Sequence, residues 1–139
     1  MQYQSSDVEL VKMNWLKAHE EIQEKKVIEL HEMTLRWGGY TKPLLVDSKT
    51  GTILDGHHRF EVGKKLNLEL IPAILTDYLN DNGITVTTWP NSKLKNIEKE
   101  EVIKMALSGN LFPPKTSKHS LSEYLPPIMV KIEDLKNNN

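Results

Sequence analysis

The chain has 139 residues, with 18 Lys and Arg against 19 Asp and Glu and a formal net charge of −1, a length that suits one domain with its own core. Its 38% hydrophobic and 27% charged residues lie in the soluble globular range, and no apolar run approaches the roughly 18 residues a membrane span needs. The near-neutral charge gives no overall electrostatic footprint for nucleic acid. The lack of cysteine, and an N-terminus without a basic region leading into an apolar run, fit a cytoplasmic location without disulfides.

Residues 7–16, DVELVKMNWL, alternate loosely between apolar and polar side chains as a half-buried strand does, and KAHEE at 17–21 breaks the pattern as a polar loop. From Ile22 to Trp37 the apolar residues recur in a roughly helical rhythm, with Gly38 and Gly39 as the stop. KPLLVDSKTGTIL at 42–54 reads as a β-hairpin: two short apolar runs around a turn-rich DSKTG. A helix is expected from Gly56 to about Asn67. Strands are expected at LELIPAIL (68–75) and GITVTTW (83–89), and another helix in IEKEEVIKMALSGN (97–110), with Gly109 near its stop. In LFPPKTSKHSLSEYLPP (111–127) the paired prolines forbid a continuous helix or central strand, so an irregular segment is expected there. IMVKI (128–132) is a candidate closing strand before a frayed tail at 136–139. The irregular alternation of elements favours an α+β fold, one compact domain over residues 1–139 with a small mixed sheet flanked by helices.

The densest chemistry is in ILDGHHRFEVGKKL, residues 53–66, where two of the chain's five histidines stand side by side before an arginine. A turn entering a helix exposes backbone N–H groups and the positive end of the dipole, which makes an anion site. Gly56 would let backbone approach a phosphate, and His57, His58 and Arg59 would add donors. The plainer alternative is that Asp55 caps the helix and the basic residues are solvated. Adjacent helical histidines diverge by about 100°, and neither His19 nor His31 begins an HExxH motif, so the metal ligands, if any, are not legible. Two further segments stand out: AHEEI at 18–22, whose acids by default favour a helix start, and FPPKTSKH at 112–119, a proline turn rich in hydroxyls and positive charge.

Taken in order, AHEEI, TKPLLVD, ILDGHHRFEVGKKL, IPAIL and FPPKTSKH resemble the free serine kinase family, whose members carry a ParB-like fold related to sulfiredoxin. The resemblance runs from about residue 10 to residue 132. It implies phosphoryl transfer from ADP or ATP, with Mg²⁺, to the hydroxyl of free L-serine. Glu20 falls at the place of the family's base, with Glu21 the close alternative, and Asp55 lies near the transferring group. Nucleotide contacts are implied at Thr41, Lys42, Gly56, His57, His58 and Arg59, and substrate contacts at Trp89, Lys115, Thr116, Ser117, Lys118 and His119. The chain departs from the pattern in two places. Ala18 stands where a proline commonly precedes His-Glu, and Ser117-Lys118 replaces a more usual Thr-Arg, losing the bidentate reach of arginine. The competing reading is a ParB-type nucleotide-binding module or regulator linked to DNA, whereas sulfiredoxin-like reduction lacks the cysteine it needs. Sequence alone selects neither nucleotide nor oligomeric state.

Overall fold

The computed structural model describes residues 3–136, so most of the expected frayed tail, residues 137–139, lies outside the described residues. Its centre is a four-stranded mixed sheet of β1 (Glu9–Lys12), β3 (Leu44–Asp47), β4 (Ile53–Asp55) and β5 (Leu70–Thr76), in the order β1-β5-β3-β4. β3 and β5 run parallel, with Leu44 opposite Ala73, and both flanking pairings are antiparallel. Every residue of β3 is buried. The unbroken LLV run is the signature of a strand covered on both faces, and alternation sends its side chains to two different cores. Leu44 and Val46 join Ile53, Ile71 and Ala73 in a cluster with Val27 of α1 (Glu24–Trp37) and Phe60 and Val62 of α2 (His57–Lys65). Leu45, with Leu54 and Ile74, joins Tyr78, Ile84 of β6 (Ile84–Thr88) and Val102 of α3 (Lys99–Ser108) on the other face. Each such side chain contributes about 1.5–3 kcal/mol on burial. The exposed Lys64–Glu61 and Lys65–Glu24 ion pairs contribute about 0–1 kcal/mol each, so the two cores set the fold.

The expected hairpin is present as β3 and β4, and α1 and α3 stop at Gly38 and Gly109, both in the left-handed conformation. Four expectations need correction. The first strand covers only Glu9–Lys12, because after one last in-register bond from Met13 N–H to Glu69 O the chain winds into a 3₁₀ turn over Met13–Trp15. Within 111–127, Ser117–Leu121 form a regular strand, β7, antiparallel to β6. The proline pairs flank this five-residue stretch rather than interrupt it, and a two-stranded ribbon makes no central-strand demand. Of IMVKI, only Val130–Lys131 pair as a strand, β8, with β2 (Gly39–Tyr40). The chain then turns into a short helix, α4 (Ile132–Leu135), which buries Leu135 against the first core. The helix expected from Ile22 begins at Glu24, since Gln23 is the N-cap in extended backbone (φ −99°, ψ 112°), with its N–H donated to His58.

Candidate active site

The loop joining the 3₁₀ turn to α1 runs beside the entry to edge strand β4 and is tied down along its length. Lys17 N–H donates to Gly51 O, and Lys17 O accepts from Ile53 N–H. Further on, His19 O accepts from Phe112 N–H and Glu21 N–H donates to Phe112 O, both at 2.8 Å. This sequence of bonds brings residues 19–21 beside the start of α2 and the start of β7, where the three segments enclose a cleft of about 350 Å³.

Glu20 is the pivot of the cleft. Its Oε1 accepts both the Ser117 backbone N–H and the Ser117 hydroxyl at 2.8 Å. Burial pushes its carboxyl above the usual glutamate range, against the restraining effect of the Ser117, Thr116 and Lys115 donors. A carboxylate raised by burial yet still held by hydrogen bonds is a stronger proton acceptor than an exposed glutamate. The Ser117 hydroxyl also lies 3.0 Å from His19 Nε2, and the His19 ring stands edge-on to His57 (centroids 4.5 Å apart) and to His119 (5.7 Å). Burial and the neighbouring His119 push His19 down to about 3, and burial brings His119 to about 4. Both rings are therefore neutral at physiological pH. His119 Nε2 is 2.8 Å from the hydroxyl of the fully buried Tyr78.

Opposite Glu20 the wall is the N-terminus of α2. Gly56 is its N-cap at φ +110°, and a Cβ there would meet Leu44 Cγ at 2.7 Å and Arg59 Nη2 at 3.0 Å. Both the backbone conformation and the close packing require glycine. Asp55 does not cap the helix through its side chain; it lines the cleft and accepts from Arg59 Nη2 at 3.3 Å. The third wall is the late segment. Trp89 donates its indole N–H to Ser117 O, and Lys115 and Lys118 lie over its ring at 5.7 and 5.1 Å. Lys115 sits at φ +57°, a left-handed conformation unusual for a side-chain-bearing residue and common where function constrains the backbone.

The cleft thus gathers Glu20, Glu21, Asp55, Gly56, His57, His58, Trp89, Lys115, Ser117, Lys118 and His119 from the expected set. It does not gather all of that set. Thr41 and Lys42 lie outside its lining in the connection from β2 to β3, where Thr41 O accepts from Ile128 N–H. Thr116 turns its hydroxyl back to Pro113 O. Arg59 is under the turn rather than in the cleft, with Nη2 donating to Pro43 O and Asp55. Conversely, His19, Gln23 and Lys26 line the cleft without having been singled out as site residues. The His-Glu pair at 19–20 was the available signal for His19. Tyr78, a strand-end tyrosine far in sequence from His119, carried none. A larger hollow of about 730 Å³ lies on the other side of the Glu20 loop and shares Glu20, Glu21 and His57 with the cleft, but much of its lining is apolar, including Met13, Leu16 and Phe60. The polar groups converge in the smaller space.

Among the described residues no group of three or more His, Asp and Glu side chains is arranged to hold a metal ion, and no helix is long and apolar enough to cross a membrane. No family model matches the chain. It is 35% identical over 94 residues to a ParB-like protein of Sulfolobus acidocaldarius, covering 64% of this chain and 46% of that one. It is 32% identical over 103 residues to an ATP-dependent L-serine kinase of Staphylothermus marinus (67% and 41%) and 30% identical over 87 residues to an ADP-dependent L-serine kinase of Thermococcus kodakarensis (60% and 36%). The chain spans less than half the length of these relatives. In three dimensions it superposes on a mutant free serine kinase in complex with ADP with a TM-score of 0.84 at 18% identity, over 97% of this chain and 96% of that one. The chain therefore has the α+β fold of the free serine kinase structures, a mixed sheet flanked by helices.

Proposed function

We propose that the protein transfers a phosphoryl group from ADP or ATP to the hydroxyl of free L-serine, giving O-phospho-L-serine. The observation that carries this reading is Glu20, a carboxylate raised by burial, oriented by two Ser117 donors, and sharing a narrow cleft with the N-terminus of α2. Oε1 holds both Ser117 contacts, and the remaining acceptor capacity of the carboxylate would receive the serine hydroxyl. As the new O–P bond forms, Glu20 takes the hydroxyl proton while the bond to the nucleotide's leaving phosphate breaks and AMP or ADP departs. The developing charge is met by the backbone N–H groups at the start of α2 and by Lys115 and Lys118. Positioning and electrostatics of this kind carry phosphoryl transfer in general. Lys118 and His119 are suited to the substrate carboxylate, a group that separates free serine from a serine within a chain.

Mg²⁺ fits this donor set in its usual manner, through nucleotide phosphates and one or two carboxylates rather than a protein cage. Asp55, partly exposed at the mouth of α2, would hold it. When bound, the ion would neutralise phosphate charge. The similarity to a serine kinase and the superposition on an ADP-bound structure support the nucleotide half of the reading.

A second reading, a ParB-type nucleotide-binding regulator, draws on the 35% match to a ParB-like protein. Incubation with Mg²⁺, L-serine and either ADP or ATP, followed by detection of phosphoserine, tests the choice. Phosphoserine with at least one nucleotide is expected. Nucleotide binding without phosphoserine, joined to duplex binding that stays tight at physiological salt, would favour the regulator.

A further inference from the structure

The two adjacent histidines of α2 spend the same ring atom in the same way. His57 Nε2 accepts the backbone N–H of His19 at 3.2 Å, and His58 Nε2 accepts the backbone N–H of Gln23 at 3.2 Å. A backbone N–H only donates, so each Nε2 is an unprotonated acceptor and each neutral ring carries its proton on Nδ1. The two amides bracket Glu20, Glu21 and Ile22. Side chains adjacent on a helix point about 100° apart, so a pair of them reaches two separate points of the loop where one residue would reach one.

This arrangement explains why histidine, rather than lysine or arginine, stands at a helix start that faces anions. Lysine and arginine bind phosphate well but have no acceptor atom, and neither could receive the two loop amides. The loop's other edge is held by backbone bonds to Phe112. We infer that His57 and His58 are positioning residues, a two-point clamp that fixes the Glu20 loop against the start of α2 and works only while both imidazoles are neutral.

The surroundings keep them so. Burial, with His19, His119 and His58 nearby, holds His57 well below the usual histidine range. Burial together with Lys26 and Arg59 lowers His58 against the opposing pull of Glu61. The importance of Glu20 rests on the kinase reading, but the clamp itself is measurable without turnover.

Nitrogen-15 NMR of the wild-type imidazoles is expected to show both rings protonated at Nδ1. Either ring protonated at Nε2 at neutral pH overturns the inference. Hydrogen exchange at Gln23 N–H should accelerate roughly two- to tenfold in His58→Ala, the size of one lost hydrogen bond. It should return toward wild type in His58→Gln, whose amide oxygen can accept the same bond. If phosphoserine is formed, His58→Ala should lower kcat more than it raises the nucleotide KM, and His58→Gln should recover part of the loss. Unchanged exchange in His58→Ala with a raised nucleotide KM would make the histidine a ligand contact and remove the clamp. His57 is too buried for its truncation to be a clean test, and its tautomer in the wild-type protein decides its half of the inference. Absence of phosphoserine would sink the kinase reading while leaving the tautomer and exchange results to decide the clamp.

Discussion

The two basic segments of the cleft handle their polar groups in opposite ways. At Asp55–Arg59 the side chains serve the protein: His57 and His58 accept loop amides, and Arg59 braces Pro43 O and Asp55. The first backbone N–H groups of α2 have no partner within the helix, and the proposed function assigns them to the nucleotide phosphates. At Pro113–His119 the backbone serves the protein instead. Ser117 N–H holds Glu20, Ser117 O receives the Trp89 indole, and Thr116 O receives Trp89 N–H. Here Lys115 and Lys118 extend over Trp89 and remain available at the cleft. A basic residue in a motif is thus a statement about charge, and whether that charge reaches a ligand depends on which backbone groups need partners nearby.

Acid should break this contrast most strongly. His19, His57, His58 and His119 are all lowered in the folded chain, chiefly by burial. The unfolded chain therefore binds more protons once pH falls below about 6.5, the ordinary histidine value. Their contribution is fully present above that pH and is lost as pH falls toward the folded values, by up to about 1.4 kcal/mol per pH unit for each histidine. Urea unfolding between pH 7 and 5 should show a falling midpoint. A flat profile would mean that the four rings are not held neutral by the fold.

Arg59→Ala sharpens the comparison at the next scale. Because the guanidinium lies beneath the turn, its loss should appear first as about 1–3 kcal/mol of stability from unpaired polar groups, measured by denaturant unfolding. Full stability with a large loss of nucleotide affinity would return Arg59 to the ligand. At the late segment the expectation reverses. Lys118→Ala should leave stability within about 0.5 kcal/mol and raise the KM for serine, and serine amide should be a poor substrate of the unaltered protein. Equal kcat/KM for serine and its amide would leave these residues without a carboxylate to bind.

Much of this was legible in the chain. LLVDSKTGTIL writes the β3–β4 hairpin in its two short apolar runs and turn, and Gly38 and Gly109 end their helices where left-handed backbone is needed. The segments that meet in the cleft were also recognisable one by one. What sequence could not reveal was direction. Arg59 turns inward because Gly56 offers no Cβ to exclude it and Pro43 O needs a donor, which is a property of packing and not of spacing. β7 was hidden because the prolines around SKHSL dominate the local signal, although its partner β6 supplies the pairing. Tyr78 reaches His119 only through the tertiary fold.

In the proposed reaction Glu20, and not its neighbour Glu21, accepts the serine proton. Glu20→Gln keeps the size of the side chain and removes the base, while Glu21→Gln leaves the Ser117 contacts in place. The most direct measurement is phosphoserine formation by wild type and both variants, with nucleotide affinity determined calorimetrically on the same samples. Glu20→Gln is expected to lower kcat by about 10²–10⁴-fold, with nucleotide affinity and melting temperature preserved, and Glu21→Gln to change it much less. Wild-type turnover by Glu20→Gln would contradict that role.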